Sequence, residues 1–96
     1  MRELIEFGQD QIEVDVSTGG EDFVLLCHAN PLQGGTMDHK VLLTAVRVLE
    51  SMGLNAVRFN YRGVGQSSGV YGGIEGEIHD AQRVLAWSQK YGQCVA

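Results

Sequence analysis

The stretch Gly65-Gln66-Ser67-Ser68-Gly69 has the glycine, any, serine, any, glycine spacing that holds a nucleophilic serine on a strained strand-to-helix tip. The chemistry would be acyl transfer, with a histidine as base and a carboxylate behind it. His28, His39, His79 and Asp80 are the residues of the right type. The surroundings of Ser67 do not suit the task. Asn60 to Val64 separates it from the apolar stretch Ala56-Val57, and Val70-Tyr71-Gly72-Gly73 after it is no helix start. Ser67 is therefore rejected as nucleophile.

The run His28-Ala29-Asn30-Pro31 leaves the apolar stretch Phe23 to Cys27 and turns sharply. In open α/β sheets, ligands bind outside the carboxyl ends of the strands. A backbone N–H at Asn30 or Ala29 could face an oxyanion there without reorganising as charge develops. Pro31 has no N–H and stiffens the turn. His28 is read as a hydrogen-bonded turn residue in preference to a catalytic base. His39 and His79 are read as helix-surface residues.

Arg62-Gly63-x-Gly65 has the glycine content of an anion-binding turn. The third glycine, Gly69, falls one residue too late for a dinucleotide fingerprint, and the following helix comes later still. Arg62 is better read as a clamp whose fork of donors meets loop carbonyls or a carboxylate such as Glu77 or Asp80. No His-x-x-x-His spacing and no close cysteine pair occurs, so no metal or cofactor is expected.

The elements that would carry these turns follow from hydrophobic periodicity. Leu4 to Phe7 and Gln11 to Val16 flank Gly8-Gln9-Asp10 and predict an antiparallel hairpin at one sheet edge. Its acidic face, Glu13 and Asp15, would discourage pairing with another chain. Phe23 to Cys27 is continuously apolar, as a strand covered on both faces should be. Met37 to Met52 predicts a helix capped by Thr36 or Asp38, with a broad buried stripe and Gly53 at its end. Leu54 to Phe59 then predicts a second, parallel strand reached by a right-handed crossover. Gly63 to Gly76 reads as loop. A second helix is expected from about Glu77 to Tyr91, burying Ile78, Ala81, Val84, Leu85 and Ser88. Cys94-Val95-Ala96 would begin a third parallel strand. The order is that of an open α/β sheet in a single domain over 1–96.

Composition narrows the function classes. The net charge of −5, from 12 acidic against 7 basic residues, has no basic cluster to meet a nucleic acid. No apolar run reaches the roughly 18 residues that span a bilayer. The N-terminus is acidic where a secretory signal would be apolar, and Cys27 and Cys94 are read as buried reduced thiols. The expected location is the cytoplasm, with no membrane partner.

Three blocks carry a resemblance: His28 to Met37, Arg58 to Gly69, and Gly76-Glu77-x-x-Asp80-Ala81. Together they resemble small α/β-hydrolases related to dienelactone hydrolases and acyl-peptidases, whose first block reads H-P-H-P-x-x-G-G-T-M and second R-F-N-F-R-G-V-G-x-S-x-G. Ala29 stands where that family commonly has proline, and Asn30 where it has a second histidine. The resemblance is strongest from Val24 to Trp87 and covers about the first half of a family domain.

It implies a partial α/β-hydrolase fold, a three-layer αβα sandwich with the N-terminal hairpin and parallel crossover strands. It implies an oxyanion donor at the backbone of Asn30 or Ala29. It also implies an active-site rim shaped by His28, Pro31, Arg62, Gly63, Gly65 and Asp80. The serine elbow would follow the strand beginning near Cys94, and the acid and base would follow later strands. The chain is thus expected to be the N-terminal part of a serine hydrolase, inactive alone, whose partner is the missing C-terminal half and whose parent acts on a small ester or acyl compound. The alternative is a non-catalytic α/β domain that forms a homo-oligomer through its unfinished sheet or an apolar helix face.

Overall fold

The computed structural model describes residues 1–96. Strand β1 (Arg2–Phe7) pairs antiparallel with β2 (Asp10–Ser17), placing Ile5 opposite Ile12. Gly8 makes the tight turn possible with φ +65°. Strand β3 (Phe23–Leu26) lies parallel to β4 (Asn55–Phe59), and β4 also pairs antiparallel with β2. The sheet order is β1-β2-β4-β3. The expected third parallel strand does begin, on the free side of β3. Phe23 N–H donates to Gln93 O at 3.0 Å, Val95 N–H to Phe23 O at 2.9 Å, and Leu25 N–H to Ala96 O at 3.0 Å.

Side chains alternate across the sheet and define two faces. Ile12, Val14, Val16, Phe23, Val57 and Phe59 share one buried cluster with Val84 of helix α2 (Gly73–Ser88). Complete burial of each such side chain contributes about 1.5–3 kcal/mol. Ala56 and Arg58 point the other way. Arg58 donates to Met37 O at 2.9 Å and to Asp38 at 2.8 Å, just ahead of helix α1 (Lys40–Ser51). The helices therefore cover opposite faces, giving the three layers.

Several boundaries and faces differ from expectation. Glu13 and Asp15 do not form an exposed edge, because β2 is an interior strand. Glu13 is buried against Asn60 and Gln66, while Asp15 meets Arg58 at 3.2 Å and the N-terminal amine at 3.1 Å. Helix α1 starts at Lys40 and is capped by His39, whose Nδ1 accepts Val41 N–H at 3.2 Å. Asp38 is already committed to Arg2 and Arg58, which hold its carboxyl below the usual carboxylate range, and Thr36 caps the preceding turn. Gly53 ends the helix with φ +76°, as expected.

Only Val46 of α1 is buried, whereas Val41, Val48 and Met52 are exposed. Helix α2 begins at Gly73, ahead of the expected start, and its buried line is Gly76, Asp80, Val84 and Ser88, with Ile78 exposed. Two glycines, each about 1 kcal/mol poorer in a helix than alanine, mask that start in the sequence. Cys27 and Cys94 are free but exposed, not buried; the 93–96 segment pairs beside β3 only as far as Leu25, short of Cys27, and Cys94 itself lies on that outermost segment.

Candidate functional site

Because β3 and β4 are parallel neighbours, the bends that follow them leave the same edge of the sheet. His28 ties the two together. Its Nε2 accepts the backbone N–H of Tyr61 at 3.2 Å, and its ring lies 4.4 Å from the Tyr61 ring. Its Nδ1 contacts Ala29 O at 2.7 Å. Burial lowers the pKa of this imidazole, against a smaller opposing effect of the Ala29 bond. Both ring nitrogens are occupied, so neither is open to take a proton from a nucleophile.

The turn beyond His28 is built from local bonds. Asn30 Oδ1 accepts Leu32 N–H at 2.9 Å, and Asn30 O accepts from Gln33 and Gly35. These bonds and Pro31 wind Pro31–Gln33 into a single 3-10 turn. A Cβ on Gly35 would lie 2.0 Å from Ala29 O, so only glycine closes the loop. The N–H groups of Ala29 and Asn30 have no acceptor within the chain. Beside them runs a largely apolar groove of about 360 Å³ bounded by Cys27, His28, Ala29, His39, Val41 and Leu42.

The loop after β4 is pinned at both ends. Asp80 accepts the backbone N–H of Arg62 at 2.9 Å and its guanidinium at 2.8 Å, and that hydrogen bond raises the arginine's pKa further. The carboxylate that meets Arg62 is thus Asp80. Glu77 instead accepts the Tyr71 hydroxyl, which raises the phenol's pKa. The Arg62 guanidinium passes close to Gly76 of α2, where a Cβ would meet Arg62 Nε at 3.5 Å, an ordinary contact. Gly63 turns with φ +80°, and a Cβ there would lie 2.6 Å from Tyr71 N. At Gly65 a Cβ would lie 2.5 Å from Asn60 and 2.6 Å from Glu13.

Ser67 sits inside this packing. Its hydroxyl donates to Asn60 O at 2.7 Å and accepts Glu13 N–H at 2.9 Å. Ser68 Oγ accepts Gln11 N–H at 2.9 Å. The two serines take the place of backbone partners for β2 where β4 has already turned away. His79 is exposed, with Nδ1 2.9 Å from Arg62 Nη2, and no group of three or more His, Cys, Asp or Glu could hold a metal ion.

Two residues not named among the candidate site residues prove central. Asn60 bonds Met37 N–H through Oδ1 at 2.8 Å and Glu13 through Nδ2 at 2.8 Å. Its position directly after an apolar strand and its place in the Arg58 to Gly69 block were the available signals. Glu13 carried none, because alternation with apolar residues reads as solvent exposure.

No family model matches the chain. A serine hydrolase homologue of Coxiella burnetii is 38% identical, with a TM-score of 0.85 over 95% of this chain and 46% of its own. The fold is that of an α/β hydrolase, present here in part. A serine hydrolase of Xanthomonas campestris without a lid superposes with a TM-score of 0.87 at 28% identity, covering 95% of this chain and 44% of its own. An uncharacterised protein of Rickettsia prowazekii is 39% identical over 66 residues, which are 69% of this chain and 28% of that protein. The chain therefore spans less than half the length of each of these three proteins. In this partial α/β-hydrolase fold, the Asn30 turn and the Arg62 loop share one rim.

Proposed function

We propose that the chain is the N-terminal part of a serine hydrolase of esterase or acyl-hydrolase type. It supplies oxyanion-hole backbone at Asn30 or Ala29 but no catalytic triad, and is inactive alone. One observation carries the reading: two adjoining backbone N–H groups without an acceptor in the chain, those of Ala29, which lines an apolar groove, and of Asn30, follow the carboxyl end of a parallel strand. Donors held this way stabilise charge as it develops on a carbonyl oxygen.

The side chains that could complete a triad are committed elsewhere. Ser67 is bonded to Glu13 and Asn60, His28 to Tyr61 and Ala29, and Asp80 to Arg62. The nucleophile, acid and base would come from the remainder of the domain, and the substrate would be a small ester or other acyl compound. A fluorophosphonate probe tests this. The 96-residue chain should remain unlabelled, and a longer polypeptide carrying the rest of the domain should be labelled at a serine other than Ser67. Labelling of Ser67 itself would overturn the assignment.

A second reading has its own support. Val41, Val48 and Met52 leave an apolar line on the outer side of α1, at 66%, 52% and 65% exposure. A non-catalytic domain could pair with another copy through it. A stable dimer of this chain that Val48→Glu dissociates would favour this reading.

A further inference from the structure

The peptide bond between Ala29 and Asn30 is gripped on its carbonyl side. Ala29 O lies 2.7 Å from His28 Nδ1, and the close approach of Gly35 confines it on another side. The ring's tautomer follows from its partners. Nε2 accepts the Tyr61 N–H and must carry no hydrogen, while a carbonyl oxygen can only accept, so Nδ1 bears the proton and donates. No peptide bond in the chain is cis, so C=O and N–H of this peptide point in opposite directions.

With its carbonyl turned toward His28 and Gly35, the peptide aims the Asn30 N–H away from them, where nothing in the chain accepts it. A carbonyl that accepts a hydrogen bond also polarises its own amide and strengthens the N–H as a donor. The preceding peptide lacks this support, because the His28 carbonyl takes no such bond.

We propose that His28 is the positioning residue of this turn: kept in the Nδ1–H tautomer by Tyr61, it fixes the Ala29–Asn30 peptide plane and selects the Asn30 N–H over that of Ala29 as the oxyanion donor. The identity of the acceptor rests on the hydrolase reading; the grip on the peptide does not.

Nitrogen-15 NMR of the chain tests it. Long-range proton correlation should show His28 with protonated Nδ1 and bare Nε2 at neutral pH. The Asn30 amide should shift together with the His28 titration, whereas the Leu32 amide, held by Asn30 Oδ1, should not. His28→Ala should abolish the co-titration and displace the Asn30 resonance, and His28→Gln, with one donor and one acceptor, should return that resonance toward its original position. A ring protonated at Nε2, or an Asn30 amide unmoved in His28→Ala, would overturn the proposal. If His28→Ala does not fold, the wild-type tautomer and titration decide. The expected tautomer in a chain whose longer form carries no labelled serine would sink the hydrolase reading and leave the grip standing.

Discussion

Asp80, 1% exposed on α2, binds both the main-chain N–H and the guanidinium of Arg62. One carboxylate thus sets the path of the chain as it leaves β4 and the start of the glycine-rich loop. The two partners differ in burial, since the Arg62 side chain is 30% exposed. Removing the guanidinium strands a buried charge, whereas removing the carboxylate frees an arginine that can turn to water. Arg62→Ala should therefore cost about 3 kcal/mol and Asp80→Ala about 2 kcal/mol. Adding Asp80→Asn to Arg62→Ala should recover part of the loss. Urea unfolding of the variants measures this, and a smaller cost for Arg62→Ala than for Asp80→Ala would contradict it.

Ser67→Ala removes a donor to Asn60 O and an acceptor for Glu13 N–H, both buried. The expected loss is about 1–3 kcal/mol of stability. Serine-directed labelling of the longer polypeptide should persist in this variant. Thermal unfolding and intact mass read the two effects separately.

Gly35→Ala would place a Cβ 2.0 Å from Ala29 O, a distance that backbone atoms can relieve only by moving. The Ala29–Asn30 turn should open, with faster hydrogen exchange at Gln33 and at position 35, whose amides bond to Asn30 O in the wild-type chain. Exchange rates equal to wild type would show that the close approach does not shape the turn.

Burial holds the His28 pKa below its ordinary value of 6.5. The unfolded chain therefore takes up a proton at this site before the folded one. The stabilisation is fully present above pH 6.5 and is lost as pH falls from there through the folded-state pKa. His28→Gln should flatten that part of the curve. Asp38, lowered from 3.8 by Arg2 and Arg58, adds a loss only in the more acidic range. Unfolding free energies measured across both ranges would separate the two, and an unchanged slope in His28→Gln would remove His28 from the pH dependence.

Elements with strong periodicity were legible early. The hairpin, both parallel strands, the end of α1 at Gly53 and the stub at Cys94 follow from apolar spacing and glycine placement. The start of α2 was not, because Gly73 and Gly76 argue locally against helix. The faces of Glu13 and Asp15 were misread for a related reason. A carboxylate between apolar neighbours looks solvated until Asn60, Arg58 and Arg2 are brought to it.

The amino-acid order alone determined which segments extend, which coil and where the chain bends, since those choices depend on neighbours within a few residues. Only the tertiary structure decided that Ser67 fastens a loop to β2, that His28 spends both ring nitrogens on two different bends, and that the Asn30 amide is left without a partner. Hydrogen bonds between residues 33 and 54 positions apart set those outcomes, and no local pattern encodes them.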